Sequence, residues 1–539
     1  MPPVPPAATP DHRTRQRLLE GAVARLSRDG LGQNLLDQAA ADAGIPSDRA
    51  RVFFRRDEEV ILALYARFAA DLEARVQEFP PGTVAERFHA VMAAKFSLLG
   101  PYRDALAALT AAMLDPRHEL GVLNPQTEII RNRVQSVFGA VVEGATDRPA
   151  DVGPITRALY GMHLALMLLW CQDRSPGAPA ATAALDLARD LFGFVAPFLA
   201  LPEAAPSAAR LDGIFGSLLA PPDDESIAER ATAILRTLFR HRRLCPDAGP
   251  CANNPCPHCF ALHLPKVKYF VRADRPLHLI LPAFPAKSPS RRKTLGPLPD
   301  MAEEIALQYL QAACDELAAL HPPGVRLTVC SDGHVFSDLV GVTDDEVTRY
   351  GAEIATMVDR MNLRSIDLFG MADLYEGTDF PEMRRRLVAD YAQPLEQVEE
   401  RARRFDHARS LFNGIHRFIF EEQADVHPEK SRTKLREECR GLAHRVIQHS
   451  DAWGRLLADC FPTALRLSIH PQNPHSEKIG ILLGASDDAW LTPWHGAALK
   501  RLGGWTFLKR DAAEALGARL VARDGRGSYF ETDNAVNPT

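Results

Sequence analysis

Four cysteines, Cys245, Cys251, Cys256 and Cys259, fall within fifteen residues, with His258 and His263 beside them. A Cys-x-x-Cys pair with two further thiols nearby can close a tetrahedral sulfur site on zinc. Pro246, Gly249, Pro250, Pro255 and Pro257 supply the tight turns such a knot needs. The Cys-x5-Cys-x4-Cys spacing is not a common zinc-finger spacing, so a loop of reduced thiols or a redox pair at Cys256 and Cys259 stays open. If zinc binds, its role is structural, because four thiolates leave no open coordination position.

A cationic loop follows, Phe284-Pro285-Ala286-Lys287-Ser288-Pro289-Ser290-Arg291-Arg292-Lys293. Lys287, Arg292 and Lys293 bring charge and Ser288 a hydroxyl, which together suit an anionic small molecule. Pro285 and Pro289 restrict the loop and lower the entropy lost on binding. Lys287 stands nearest the preceding strand and is the first choice as ligand contact; the alternative is a solvated basic loop. Further along, Ser331-Asp332-Gly333 ends an alternating run at Val325, Leu327 and Val329. Asp332 or Asp338 is suited to hold an ammonium or act as a base, although Ser-Asp-Gly is also an ordinary turn. His470 ends a second alternating run, and His495 sits next to Trp494; imidazoles shuttle protons near neutral pH. Trp490 and Trp494 are suited to wall an aromatic ligand, and Lys478 to pair with phosphate or carboxylate, or to begin a strand on the surface.

These residues need elements to position them. From Asp11 to about Leu201 the pattern is helical, with no convincing strand. Pro202 to Asp224 is rich in Pro, Ala and Ser and reads as a linker. Beyond it, short apolar runs at 276–284, 325–329, 465–469 and 478–483 alternate with helices. Asp300/Glu303 and Thr343/Glu346 have the spacing of capping boxes. The fold class expected is an all-α N-terminal half, a helix-turn-helix head plus helical body, followed by an α/β domain with a mostly parallel or mixed sheet. The expected boundaries are 11–60 for the head, 61–201 for the body, 202–224 for the linker, 225–530 for the α/β domain and 531–539 for a tail.

At 539 residues, with 46% hydrophobic and 24% charged residues, the chain has the composition of a globular protein of several domains. Its net charge of −6 argues against coating a polyanion with the whole molecule. The nine cysteines do not form a secreted disulfide framework, so a reducing cytoplasm is expected. The first ten residues carry no basic-then-apolar signal segment, and the apolar stretch 161–170 is too short to span a bilayer.

Residues about 226–530 resemble the isocyanide (isonitrile) synthase family of the pyoverdine/dityrosine biosynthesis type. The resemblance is carried by four blocks: Leu281-Pro282-Ala283-Phe284-Pro285-Ala286-Lys287-Ser288-Pro289 with Leu298-Pro299-Asp300; Cys330-Ser331-Asp332-Gly333-His334-Val335-Phe336-Ser337-Asp338; Leu467-Ser468-Ile469-His470-Pro471-Gln472 with Lys478-Ile479-Gly480; and Trp490-Leu491-Thr492-Pro493-Trp494-His495-Gly496. It implies that an L-amino acid, tyrosine or tryptophan, condenses through its amine with ribulose 5-phosphate, one sugar carbon remaining on nitrogen as the isonitrile. It further implies that no cofactor is required for catalysis, and that an iron/2-oxoglutarate oxygenase acts on the product. The implied catalytic residues are His470, Asp332 and His495. The implied substrate-binding residues are Lys287, Ser288, Arg292, Lys293, Ser331, Asp338, Lys478, Trp490 and Trp494.

Residues 15–60 resemble more loosely the head of the tetracycline-repressor family, through Leu18, Ala22, Leu26 and Gly30, then Ala39-Ala40 with Asp42-Ala43-Gly44-Ile45, then Phe53-Phe54 and Glu58. That resemblance implies DNA contacts from Arg49, Arg51 and Arg55 and a homodimer through the helical body. A DNA-binding regulator whose second half only senses a ligand is thus the alternative to an enzyme. The family's signature is eroded: Pro46, Ala50-Arg51 and Asp57 stand where Ser, Leu-Tyr and Lys are usual.

Overall fold

The computed structural model describes all residues except 1–11, 77–80, 150, 200–205, 207–208, 211–212, 215–224, 246–247, 376–377, 489, 502–503 and 533–539. It divides into two compact units, Met1–Glu225 and Ser226–Thr539. The expected linker at 202–224 lies mostly outside the described residues, as do Pro246 and nearly all of the expected tail.

The first unit is helical throughout its described residues, as the periodicity requires. Helices His12–Asp29, Leu35–Asp42, Ser47–Phe53 and Asp57–Val76 bury Leu18, Ala22, Leu26, Leu36 and Ile61 in one core. Asp57, one of the departures from the repressor pattern, accepts from the backbone N–H of Leu35 and Leu36 at 2.9 and 2.8 Å. It thereby satisfies the open end of the second helix. Helices Val84–Leu99, Glu128–Glu143, Gly153–Gln172 and Pro179–Leu199 build a second core around Phe88, Val91, Phe138 and Leu159.

In the second unit, β1 (Leu277–Pro282), β2 (Val325–Cys330), β3 (Ile366–Phe369), β4 (Leu465–Ser468) and β5 (Ile479–Gly480) form one parallel sheet in the order β3-β2-β1-β4-β5. Both faces of β1 are covered, which is why it reads as a continuous apolar run. The helix Met301–Ala318 starts at a capping box of Asp300 with Glu303, and Asp344–Arg360 at one of Thr343 with Glu346, both as expected. Between β3 and β4 lie the helices Phe380–Tyr391, Leu395–Arg404, Asp406–Val426 and Arg432–Cys460.

The strand expected over 478–483 shortens to two residues. After Gly480 the chain turns away to meet the segment before the cysteines, where Arg242 bridges to Ile481. A second, mixed sheet was not anticipated. It comprises β6 (Ala497–Arg501), β7 (Gly504–Leu508), β8 (Arg519–Arg523) and β9 (Arg526–Glu531), ordered β7-β6-β9-β8. The strand order of the parallel sheet matters most. Chain direction across the sheet reverses between β1 and β4, and open α/β sheets leave a crevice at the carboxyl ends of such a pair.

Candidate active site

The cationic loop leaves β1 at that crevice, Asp332 leaves β2, and His470 leaves β4. Phe284 opens the loop with φ of 55°, a left-handed conformation uncommon for a bulky residue. Its buried ring packs 5.2 Å from that of Trp494, and its carbonyl accepts from the Ser331 hydroxyl at 3.2 Å. Ser288 N–H donates to the Trp494 carbonyl at 2.9 Å. The loop is therefore laced to the Thr492–Gly496 turn and to the end of β2. Gly333 is needed for this closeness, since a Cβ there would stand 2.0 Å from the Pro285 carbonyl oxygen. Its glycine serves packing rather than turn formation.

Most cations of the loop face protein carboxylates. Lys287 Nζ, fully buried, lies 2.9 Å from both Asp300 and Glu303 and donates to the carbonyls of Pro493 and Gly496 at 3.1 and 3.4 Å. The expectation of an ammonium open to phosphate is thus corrected: Lys287 is a buried strut, and its acceptors are already supplied. Arg292 is exposed and pairs with Asp425 and Asp511 at 3.3 and 3.1 Å. Lys293 is buried, pairs with Glu422, and stands 5.2 Å over the Phe418 ring. Ser288 donates to the same Glu422 at 2.5 Å. Glu422, Phe418 and Asp425 come from the helix Asp406–Val426 and were missed. The one available signal was their spacing along one helix face, which becomes meaningful only once the basic loop is known to lie against it.

Three expected proton-transfer groups retain solvent access while being closely surrounded by protein. Asp332 is half-buried; its Oδ1 is shielded without a hydrogen-bond partner among the described residues, and burial pushes the carboxyl up to about 7. His470 is solvent-exposed, and partial dehydration beside the cations Arg243 and Lys478 pushes its imidazole below the usual histidine range. His495 accepts from or donates to Thr492 Oγ1 at 2.7 Å and meets the Phe418 ring edge-on at 4.9 Å. Dehydration depresses it well below the usual histidine range, followed by Lys293, His470 and Lys287. The two histidines and the loop lysines therefore share one electrostatic environment. Both imidazoles are neutral at pH 7 and able to accept a proton.

The aromatic candidates part company. Trp490 is 60% exposed with its ring 5.8 Å from His470, whereas Trp494 is 1% exposed and belongs to the core. Trp494 is corrected from ligand wall to loop support. Asp338 is corrected too: it faces away along its helix to Arg384 and Arg445 at 3.5 and 3.6 Å. Lys478 lines a small crevice with Arg242, His263 and Gln472, and its charge is felt at His470.

Arg243 was not among the residues expected at the site. Its guanidinium, buried, donates to the carbonyls of Ile469 and Leu491 at 2.7 and 2.8 Å. It thus holds the residues before His470 and after Trp490 in one clamp. Its backbone pairs with Gly480 and Gln472 at 2.8 and 3.0 Å. A Cβ on Gly480 would meet the Arg243 carbonyl oxygen at 2.1 Å.

The cysteines gather differently from expectation. Ligand atoms of Cys251, Cys256, Cys259 and His475 lie within 4.8 Å of one another, and Cys245 is not in that group. Arg49, Arg51 and Arg55 are exposed in the helical unit, and Arg51 pairs with Asp37 at 2.6 Å.

The second unit is an α/β domain whose parallel sheet sends the loops bearing Lys287, Asp332 and His470 from the carboxyl ends of three neighbouring strands. The sequence profile described as pyoverdine/dityrosine biosynthesis protein matches residues 267–521, within the second unit. An L-tryptophan isonitrile synthase, AmbI2, of Fischerella ambigua is 48% identical over 297 residues, 55% of this chain and 90% of that one. An L-tyrosine isonitrile synthase of Pseudomonas aeruginosa is 36% identical over 303 residues, 55% of this chain and 92% of that one. The crystal structure of the PvcA protein from Pseudomonas aeruginosa superposes with a TM-score of 0.54 at 35% identity, covering 56% of this chain and 99% of that one. The chain belongs to the isonitrile synthase family, and it is an enzyme that makes isonitriles. Among the described residues no helix is long and apolar enough to cross a membrane.

Proposed function

We propose that the second unit converts the α-amino group of an L-amino acid, L-tryptophan before L-tyrosine, into an isonitrile with ribulose 5-phosphate as carbon donor. Support for this reading comes from relatives at 48 and 44% identity that are tryptophan isonitrile synthases, and from loops that carry Asp332 and His470 off the ends of the two strands flanking β1 in one parallel sheet, with His470 close enough to His495 to depress its basicity. An amine attacks a ketone only when unprotonated. Asp332, titrating near 7, takes the ammonium proton, and the neutral imidazoles move protons as the carbinolamine dehydrates and the sugar fragments. Trp490 offers an exposed ring to the substrate side chain. Lys293 and Ser288, balanced by Glu422, are the proposed contacts for the phosphosugar, whose dianion would compete with Glu422 for both.

The regulator reading is weaker, because Arg51 is already held by Asp37. DNA binding through Arg49 and Arg55 stays a proposal for the helical unit alone. The deciding experiment incubates the purified full chain with L-tryptophan or L-tyrosine and uniformly carbon-13-labelled ribulose 5-phosphate. A tetrazine-trapped product carrying a single labelled carbon is expected. An unlabelled isonitrile would overturn the donor, and absence of product with either amino acid would overturn the substrate class.

A further inference from the structure

Three cysteines and one histidine from two distant parts of the second unit meet at its surface. Cys251 lies in the short turn Gly249–Ala252, Cys256 precedes the helix Pro257–Ala261, and Cys259 sits on that helix. His475 arrives from the loop between β4 and β5. Cys256 Sγ stands 3.2 Å from His475 Nε2 and 3.8 Å from Cys259 Sγ; Cys251 Sγ is 3.8 Å from the same Nε2. Two sulfurs at about 2.3 Å from zinc and tetrahedrally disposed stand about 3.8 Å apart, and a sulfur and an imidazole nitrogen about 3.5 Å apart. The separations match a metal-sized gap. A sulfur pair at 3.8 Å is also much too far apart for a disulfide bond, whose length is about 2.05 Å.

We infer that Cys251, Cys256, Cys259 and His475 bind one zinc ion, with His475 in the place that cysteine spacing alone would give to Cys245. The site is closed by four protein ligands, so its work is structural. On binding, the three thiols lose their protons to solvent and the imidazole binds neutral, leaving a centre of net charge −1. The Arg242 guanidinium lies against this charge: it donates to the Cys251 carbonyl at 2.9 Å and interacts with Cys259.

The consequence reaches the crevice. His470 and His475 share one loop, so an ion on His475 anchors that loop to the cysteine segment. Arg243, next to Arg242, holds the loop's first residues by the Ile469 carbonyl. Two clamps from one segment thus position His470, which makes His475 and the cysteines positioning residues rather than catalytic ones.

Purified full-length protein, washed with a weak chelator, is measured for zinc by mass spectrometry and for cobalt(II) absorption after exchange. One zinc per chain is expected, and cobalt should give the visible bands of a tetrahedral thiolate-rich site with sulfur-to-cobalt charge transfer. Cys245→Ser should keep the metal and the spectrum, whereas His475→Ala and Cys256→Ser should lose at least tenfold in affinity. His475→Cys, which supplies a fourth thiolate, should retain metal with shifted bands and so guards against a merely unfolded variant. Metal-free wild-type protein with all its accessible thiols reactive would overturn the inference. So would loss of zinc in Cys245→Ser with retention in His475→Ala.

Discussion

Lys287 Nζ lies 2.9 Å from the Asp300 carboxylate, with both side chains shut off from water. This pair joins the loop after β1 to the start of the helix Met301–Ala318, and Glu303 completes it. Tyr350 donates to Glu303 at 3.1 Å from behind. A loop that looks built for a ligand is thereby fastened to its own scaffold.

Lys287→Met removes the only cation touching two buried carboxylates that the described residues show there, at a cost of about 3–5 kcal/mol. Urea unfolding followed by tryptophan fluorescence should show the lower midpoint. Activity loss should track the unfolded fraction, and a fully folded but inactive variant would return Lys287 to the substrate.

Asp332→Asn should separate function from stability. Its carboxyl is raised to about 7 by burial, so between about pH 4 and 7 the folded chain holds a proton that the unfolded chain has released. Stability therefore falls as pH rises through that range and stays reduced above it. The amide escapes this cost, so the variant should melt higher than the parent at pH 8. Turnover should drop about a hundredfold or more, and the limb of the rate profile near pH 7 should vanish.

Arg243→Lys keeps the charge but not the fork that reaches two carbonyls. We expect kcat to fall about tenfold to a hundredfold, with a smaller change in melting temperature. A steady-state comparison with Arg243→Met, which should be worse on both counts, checks it.

Trp490→Ala truncates an exposed ring, so stability should change by less than about 0.5 kcal/mol. Loss of one aromatic contact worth about 0.5–1.5 kcal/mol should raise KM for an aromatic amino acid by about twofold to twelvefold. An unchanged KM across tryptophan and tyrosine would remove the ring from the substrate site.

In the helical unit, Lys95 Nζ lies 2.6 Å from His163 Nε2, both buried, and burial pushes the lysine down to about 7. The unfolded chain keeps that proton up to about pH 10, so stability should rise with pH between about 7 and 10. Lys95→Met should be the more stable protein at pH 7, with the difference shrinking at pH 10; thermal melts at both values test it.

Much was legible before folding, and the misses have a common cause. The helical pattern of the first half and the capping boxes at Asp300 and Thr343 rest on interactions within a few residues, so they could be read directly. Trp494 and Asp338 share their motifs with His495 and Asp332, yet one is core and the other faces two arginines, because neighbours in sequence point to different sides of an element.

The chain by itself determined the all-α half, the α/β half and the family. Tertiary structure alone decided that Lys287 is a strut, that Glu422 answers Lys293, that Arg243 clamps the loops of His470 and Trp490, and that His475 joins the cysteines. Local patterns record which way a backbone will run. A buried charge, by contrast, takes its role from whatever partner the fold brings to it, and those partners lie tens to hundreds of residues away.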